Sequence, residues 1–444
     1  MRRFLANGLF ERRLGLSDVV LLVMGSVIGS GIFRTPSVVA QRIHSGNAIL
    51  AAWAVGGVVA LFGAFVLGEL GVRRPDGCGA YAYLRDAFHP VVAFAYGWAA
   101  LLASFTGGLA AAAVLFAGYF LSLTGLPVAP AFVAVIALAA LALVNALGVR
   151  QGGNVQNALT LLKIAALVAL VIAAFVAHPI LHSVALRQST GSAAFALAMI
   201  PILFTYNGAV VANFMAAEAK NVTRTLPRGL WLGMLGVAVL YLLVNAGCIR
   251  ALGIDGLAAT SVPASEVLRV AAGPAGARLA SLAIAIATLG FMSNRMLTVP
   301  RLYHAMAQDG LFFRAVAWVD PRTRVPVVAI VLQGVLAMAI ALSGSYEHIL
   351  NYVVSTFYVF NGLLALALFV LCARDRRAGV PAPLFRVPWH PVSTAVYMLA
   401  SWGVAIATCI AYPRDGLAGL AILLSAIPAY ALWARGAALK KRTN

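Results

Sequence analysis

Long stretches without any charged side chain run through this sequence. No Asp, Glu, Lys or Arg occurs from residue 87 to residue 149, and seven other uncharged stretches are at least 20 residues long. A helix needs about 20 mostly apolar residues to cross a bilayer. The stretches are continuously apolar, whereas the strands of a membrane barrel alternate apolar and polar side chains. The fold class predicted from this pattern is an all-α polytopic membrane protein.

The composition supports the same class and excludes others. Hydrophobic residues make up 62% of the chain and charged residues 10%, against roughly 45–50% and 25% in soluble domains. A soluble domain of this composition could not cover its surface, so a water-soluble enzyme is excluded. The four cysteines have no metal-binding spacing, and no cluster of His, Asp, Glu or Cys lies on facing spans. The sequence therefore predicts no catalytic site, no metal site and no cofactor.

Twelve spans account for the apolar stretches when the longest is divided at its TGLPVAP segment, residues 124–130. Together they make residues 1–444 a single membrane domain. The predicted spans are 15–41, 46–71, 89–122, 127–148, 154–177, 193–219, 228–251, 276–307, 325–343, 348–372, 390–411 and 415–435.

The distribution of basic residues predicts the orientation. An even number of spans places both termini on one side, and 23 Lys and Arg residues fall on that side against six on the other. Cytoplasmic loops carry an excess of Lys and Arg, so we predict a multi-pass protein of the cell's inner (cytoplasmic) membrane with both termini in the cytoplasm. The net charge of +19 is then explained by topology in a lipid bilayer, and no nucleic-acid partner is predicted.

The centre of the first span contains three glycines and two serines, Gly25, Ser26, Gly29, Ser30 and Gly31. Each glycine destabilises a helix interior by about 1 kcal/mol relative to alanine, and serine side chains compete for the backbone. Small residues at this spacing are also found where helices pack closely. Their density favours an interruption of the first helix.

A second irregularity lies in the sixth span, where the turn-forming pair Asn207 and Gly208 follows Pro201 in an apolar segment. Backbone can open inside a bilayer only where protein or a water-filled cavity satisfies it. The two interruptions occupy matching positions in two five-helix halves, 15–177 and an inverted 193–372, with 390–435 as two appended helices. This pattern indicates the binding site of a secondary transporter.

The physics of interrupted helices predicts the class of substrate. The N-terminus of a half-helix offers unpaired N–H groups and about half a positive charge, which suit a carboxylate. The carbonyl groups at the opposite helix end suit an ammonium group. A zwitterionic amino acid carries both groups at a fixed separation, so it uses both halves of such a site.

Several segments form a pattern that is specific when taken together: GSVIGSGIF at 25–33, GCGAYAYLR at 77–85, FTYNG at 204–208, EAKN at 218–221, RLY at 301–303 and AQDG at 307–310. The chain resembles the amino acid–polyamine–organocation superfamily, most of all the L-type amino acid transporter branch and its bacterial relatives. The resemblance implies a core of five spans plus five inverted spans, with discontinuous first and sixth helices and two extra C-terminal helices.

The same resemblance implies roles for individual residues. The backbone of Gly29, Ser30 and Gly31 is implied to bind the substrate carboxylate, and Phe204 to close the site from outside. Carbonyl groups near Val27 and in the sixth-span interruption are implied to receive the amino group. The complete set implied to bind substrate is Ser26, Val27, Gly29, Ser30, Gly31, Phe204, Tyr206, Asn207 and Gly208.

Lys163 is the predicted coupling residue. It lies about ten residues inside the fifth span, where a charge is costly and usually functional. Sodium-independent members of the superfamily carry a lysine here, and its ammonium group resembles a substitute for sodium. A lysine that extends to the membrane edge is the structural alternative.

Two departures from the family pattern narrow the expected function. Ala103 stands where some proton-coupled relatives have a glutamate, and Asn207 stands where a small or acidic residue is common. We therefore expect sodium-independent, secondary active transport by alternating access, either exchange of neutral L-amino acids or proton-linked uptake. A cationic amino acid or polyamine exchanger is the alternative within transport, and an amino acid sensor is the alternative outside it.

Some questions stay open at the level of sequence. Arg34 and Arg295 either line the permeation path, where they favour acidic or exclude basic substrates, or pair with backbone at an interface. The cysteine positions give no support for a disulfide-linked accessory subunit, and none is expected. The oligomeric state is not specified.

Overall fold

The computed structural model describes residues 14–75, 78–177, 191–343 and 346–442. In that part of the chain the regular structure is helical, with one isolated β-bridge between Leu14 and Ala219. The α-helices are α1 Leu16–Val27, α2 Gly31–Ala40, α3 Gly46–Arg73, α4 Gly79–Ala87, α5 Pro90–Ala99, α6 Phe105–Thr124, α7 Pro130–Ala146, α8 Val149–Val176, α9 Ser192–Tyr206, α10 Val222–Ala259, α11 Pro263–Thr298, α12 Pro300–Gln308, α13 Val327–Ser343, α14 Tyr346–Arg377, α15 Val392–Ala411 and α16 Pro413–Arg442.

Each predicted span overlaps an apolar helical segment. Among the described residues, nine segments are long and apolar enough to cross a membrane, and α1 with α2 forms a tenth candidate that is bent by 49°. Helices α7 and α13 are shorter, with 17 residues each, and they coincide with predicted spans four and nine. The predicted class, an all-α polytopic membrane protein, is confirmed.

Three features differ from the predicted elements. Helix α4 is a short helix between spans two and three, too polar to be found as a span. A π-helical turn, Ala100–Ser104, separates α5 from α6 in the third span. Helix α10 continues past its predicted end through a kink at Gly253, and α11 begins before its predicted start, ahead of a kink at Gly273. An apolar stretch defines only the membrane part of a helix.

The first interruption separates α1 from α2. Helix α1 makes its last backbone bond from Ile28 N–H to Met24 O, at 2.9 Å. Ile28 then adopts an extended conformation, with φ −69° and ψ 97°, and α2 begins at Gly31. The predicted break in the first helix is therefore present.

The second interruption follows α9. Asn207 is extended, with φ −77° and ψ 143°, and Gly208 has a φ of 145°. The chain continues as a 3₁₀-helix, Ala209–Glu218. Helix α1 packs against α8, α10, α11 and this 3₁₀-helix, and α2 packs against α9 and α10. The two broken helices therefore lie side by side within the bundle.

Candidate substrate-binding site

The two helix breaks touch each other at Gly208. A Cβ atom at this position would lie 2.5 Å from the Ser26 carbonyl oxygen and 3.1 Å from the Val27 Cα. The φ of 145° is also one that residues with a side chain rarely adopt. Contact and conformation both require glycine, and the approach brings the backbone of the sixth span against that of the first.

A second close approach joins α2 to α9. A Cβ atom at Gly31 would lie 2.8 Å from the Thr205 hydroxyl oxygen. The hydroxyl groups of Thr35 and Thr205 are 2.8 Å apart, and Thr205 donates to the Pro201 carbonyl at 2.7 Å. The half-helix that starts after the first break is therefore held directly against the half-helix that ends at the second.

Side chains from other helices satisfy the carbonyl groups around the end of α1. The last carbonyl groups of a helix have no partner within it. Lys163 Nζ donates to Gly25 O at 2.5 Å and to Ile28 O at 2.8 Å, and the Tyr241 hydroxyl donates to Val27 O at 3.2 Å. The Lys163 side chain is 0% exposed, so it belongs to the interior of the site and does not extend to the membrane edge.

Sequence reasoning missed a polar group of side chains around Gly25. A Cβ atom there would lie 2.6 Å from Gln156 Nε2 and 2.6 Å from Thr160 Oγ1. Asn294 of α11 donates to the Leu22 carbonyl at 3.2 Å. The spacing of residues 156, 160 and 163 places them on one face of a helix, and that spacing was the available signal.

An aromatic and cationic cluster lies next to the first break. A Cβ atom at Gly29 would lie 3.1 Å from the Phe291 ring. The Arg295 guanidinium carbon is 4.9 Å from the centroid of that ring and 4.8 Å from the centroid of the Phe105 ring. Arg295 is 5% exposed, whereas Arg34 of α2 is exposed. The two arginines whose positions were open therefore have different environments.

The remaining site residues predicted from sequence are placed in different ways. The Ser26 hydroxyl donates to Val23 O at 2.8 Å within its own helix, so Ser26 meets the second break through its backbone. The Tyr206 hydroxyl donates to Trp53 O at 3.2 Å, which turns this side chain towards α3. Ser30 and Phe204 are half-buried.

Asn207 is half-buried and borders a small cavity of about 30 Å³ on the α3 side of the second break. The structure therefore brings together the backbones of Ser26, Val27 and Gly208, with Gly29 and Gly31 close by. It does not direct the Tyr206 side chain towards them.

Four of the sequence motifs meet beyond the breaks. Arg301 Nε contacts Glu218 Oε1 at 2.7 Å, and Asp309 Oδ2 accepts from Arg85 at 2.6 Å and from the Tyr81 hydroxyl at 2.9 Å. These contacts link α4, α12 and the end of the 3₁₀-helix. They explain why polar residues recur in the segments 77–85, 218–221 and 301–310.

Cys78 belongs to the same group of contacts. Burial raises the pKa of its thiol to about 12, so the thiol is protonated at neutral pH. It donates to the Arg301 carbonyl at 3.1 Å. The thiol therefore acts as a hydrogen-bond donor between the segment that precedes α4 and helix α12.

Two interrupted helices in contact, inside an apolar helical bundle, are typical of a membrane transporter. The sequence model of the amino acid permease family matches residues 14–427. The chain belongs to that family and is an amino acid transporter, not an enzyme. The resemblance to the amino acid–polyamine–organocation superfamily is confirmed, as is its proximity to the L-type branch.

Three relatives illustrate the similarity. The serine/threonine exchanger SteT of Bacillus subtilis is 27% identical over 434 residues, which cover 96% of this chain and 97% of the relative. The b(0,+)-type amino acid transporter 1 of Homo sapiens is 28% identical over 375 residues, 81% of this chain and 76% of the relative. The large neutral amino acids transporter small subunit 2 of Mus musculus is 26% identical over 444 residues, which cover 95% of this chain and 81% of the relative.

Proposed function

We propose that this transporter exchanges neutral L-amino acids without sodium, by secondary active transport with alternating access. The contact between the two helix breaks carries the proposal, because Gly208 reaches the Ser26 carbonyl while Lys163 binds the carbonyl groups of the first break. Paired discontinuous helices form the midplane substrate sites of secondary transporters.

In this proposal the substrate binds through its α-carboxylate and α-ammonium groups. The N-terminus of α2, at Ser30 and Gly31, offers backbone N–H groups and positive dipole charge to the carboxylate. Carbonyl groups near Val27, Phe204 and Asn207 accept from the ammonium group. Phe204, half-buried at the end of α9, covers the site from outside.

Lys163 takes the place of a coupling cation. Its ammonium group binds two main-chain carbonyl oxygens, Gly25 O and Ile28 O, and oxygen ligands of this kind also bind metal cations at unwound helices. A cation that is covalently part of the chain holds the first break in every turnover, so no sodium gradient is required.

The preference for neutral over cationic substrates rests on the charges near the breaks. Lys163 and Arg295 are both buried there, and they repel a cationic side chain, which disfavours the alternative of a cationic amino acid or polyamine exchanger. Exchange is favoured over proton-linked uptake because Ala103 offers no titratable group in the third span. The Bacillus subtilis relative is a serine/threonine exchanger, which agrees with both preferences.

Alternating access requires two elements that move relative to each other. We assign them to the repeats 15–177 and 193–372, with 390–435 as an appended pair. The excess of basic residues orients the contacts of Arg85, Arg301 and Asp309 towards the cytoplasm, in the inner membrane, with both termini on that side. There these contacts close the cytoplasmic route. We propose that the protein works without a disulfide-linked subunit.

Counterflow in proteoliposomes tests the proposal. Purified protein is reconstituted, the vesicles are loaded with an unlabelled amino acid, and uptake of labelled L-serine, L-threonine, L-leucine and L-lysine is measured in sodium and in choline buffer. We expect uptake of neutral amino acids that depends on the internal amino acid and is equal in the two buffers.

Protein-free liposomes and empty proteoliposomes serve as controls. A steep sodium requirement would overturn the assignment of Lys163. Uptake into empty proteoliposomes that needs a pH gradient would replace exchange by proton-linked uptake. Binding of amino acids with no turnover in any condition would favour the sensor alternative.

A further inference from the structure

Arg295 carries a positive charge that no described residue neutralises. Its side chain is 5% exposed, and its Nε and Nη1 atoms are buried without a hydrogen-bond partner in the described parts of the chain. The ion pairs found there do not include it. Burial of an unpaired guanidinium group is strongly unfavourable, so a bound acceptor from outside the fold stabilises Arg295 at this position.

The guanidinium group lies one helical turn from Phe291, the residue that contacts the first break. Its central carbon is 4.9 Å from the Phe291 ring centroid and 4.8 Å from that of Phe105, and a Cβ atom at Gly29 would lie 3.1 Å from the Phe291 ring. A single aromatic ring therefore separates the cation from the backbone that we assign to the substrate.

The third span directs Phe105 to this position. The π-helical turn Ala100–Ser104 ends immediately before Phe105, and π-turns often occur at functional sites. Phe105 also packs edge-to-face against Phe214 of the 3₁₀-helix and Phe357 of α14. The two aromatic rings stabilise the cation by cation–π attraction, but they leave its Nε and Nη1 donors without an oxygen acceptor among the described residues.

The local charge favours an anion over a neutral acceptor. Lys163 is a further buried cation near this break, and its ammonium group lies against the carbonyl groups of Gly25 and Ile28. A guanidinium group presents its N–H donors as a planar fork that matches the two oxygens of a carboxylate. An amide supplies one oxygen and no charge, and a hydrocarbon side chain supplies neither.

We propose that Arg295 is a specificity-determining residue that binds the side-chain carboxylate of an acidic amino acid. The proposal rests on the proposed function, because the α-groups of the same substrate occupy the two breaks. It extends the substrate range from neutral to acidic amino acids, and it ranks L-glutamate above the isosteric L-glutamine and above L-leucine. Lysine and arginine are rejected by the same charge.

Competition in proteoliposomes tests the proposal. The full-length protein is assayed for exchange of labelled L-serine, and the half-inhibitory concentrations of L-glutamate, L-glutamine and L-leucine are measured. In the wild type we expect L-glutamate to compete at least about tenfold better than L-glutamine, the order of one charge-assisted hydrogen bond. Thermal stabilisation of the detergent-purified protein by each amino acid gives the same ranking without transport.

Two variants and one matched control identify the residue responsible. Arg295→Gln is expected to raise the half-inhibitory concentration of L-glutamate at least about tenfold, while that of L-leucine changes less than about twofold. Arg295→Lys retains the charge but lacks the planar fork of N–H donors. Its half-inhibitory concentration for L-glutamate is expected to lie between those of the wild type and Arg295→Gln. Arg278→Gln removes an exposed arginine from the same helix, and it is expected to behave as the wild type.

The outcomes separate this proposal from the proposed function. Exchange of neutral amino acids with no wild-type preference for L-glutamate over L-leucine would overturn the role of Arg295 and leave the proposed function intact. If Arg295→Gln raises the half-inhibitory concentrations of L-glutamate and L-leucine equally, the arginine has a structural role and does not determine specificity. Absence of any amino acid exchange in the wild type would overturn the proposed function itself. If Arg295→Gln does not fold, the wild-type ranking and Arg295→Lys still decide.

Discussion

The two helix breaks are held open by different forces. At the first break, side chains from α8 and α10 satisfy the exposed carbonyl groups, since Lys163 donates to Gly25 O and Ile28 O and Tyr241 donates to Val27 O. At the second break, the backbone makes its own short-range bonds, from Asn207 N–H to Phe204 O and from Val211 N–H to Gly208 O, each at 3.1 Å. What fixes the second break in place is its contact with the first.

This difference shows how a bilayer protein can interrupt two neighbouring helices. One break receives donors from the surrounding helices, including a buried charge. The other break receives one long contact, from the Tyr241 hydroxyl to Thr205 O at 3.4 Å, and the absence of a side chain at Gly208 allows it to rest on the first. The first break should therefore be sensitive to loss of polar groups, and the second to added volume.

The largest effect is expected from added volume at the second break. Gly208→Ala places a Cβ atom 2.5 Å from the Ser26 carbonyl oxygen at a φ of 145°, so the breaks must separate. We expect exchange to fall at least about tenfold, because a shift of even 1.4 kcal/mol has that effect. Initial rates of counterflow, normalised to the amount of reconstituted protein, measure it.

Gly253→Ala is the matched control for that substitution. Gly253 also has a positive φ, 68°, but a Cβ atom there would meet nothing within 4 Å. It therefore reproduces the backbone strain without the collision. If both variants lose exchange equally, strain alone explains the loss and the contact between the breaks is not essential.

Loss of the charge at the first break comes next. Lys163→Met removes the donor to two buried carbonyl groups, and each unsatisfied group costs about 1–3 kcal/mol. We expect exchange to fall about tenfold or more, with a lower melting temperature. Lys220→Met, which removes an exposed lysine, is the control and should resemble the wild type. Unchanged exchange in Lys163→Met would mean that the first break needs no donor from α8.

The sequence allowed both breaks to be predicted because their causes are local. Clustered glycines and the Asn207–Gly208 pair weaken a helix wherever they occur. The apolar spans could be predicted for the same reason, since about 20 apolar residues in a row suffice to cross a bilayer. Lys163 stood out because a charge within a span is rare.

The partners of the breaks could not be predicted, because they depend on contacts between distant segments. Asn294 of α11 donates to the Leu22 carbonyl of α1, and the Phe291 ring of α11 lies next to Gly29. No spacing within α11 specifies which side of α1 these residues face. The π-helical turn before Phe105 was missed for a related reason, since its apolar residues look the same in an α-helix.

The smallest effect is expected at Tyr241, whose side chain contacts both breaks. The Tyr241 hydroxyl lies 3.2 Å from Val27 O and 3.4 Å from Thr205 O, and its ring packs against Tyr206 at 5.1 Å. Tyr241→Phe keeps the ring and removes only the hydroxyl, at a cost of about 0.5–1.5 kcal/mol. We expect exchange rates to fall about two- to tenfold, with Tyr412→Phe at an exposed position as the control. Because the first break relies on donors and the second on contact, a rate equal to the wild type would mean that contact alone couples them.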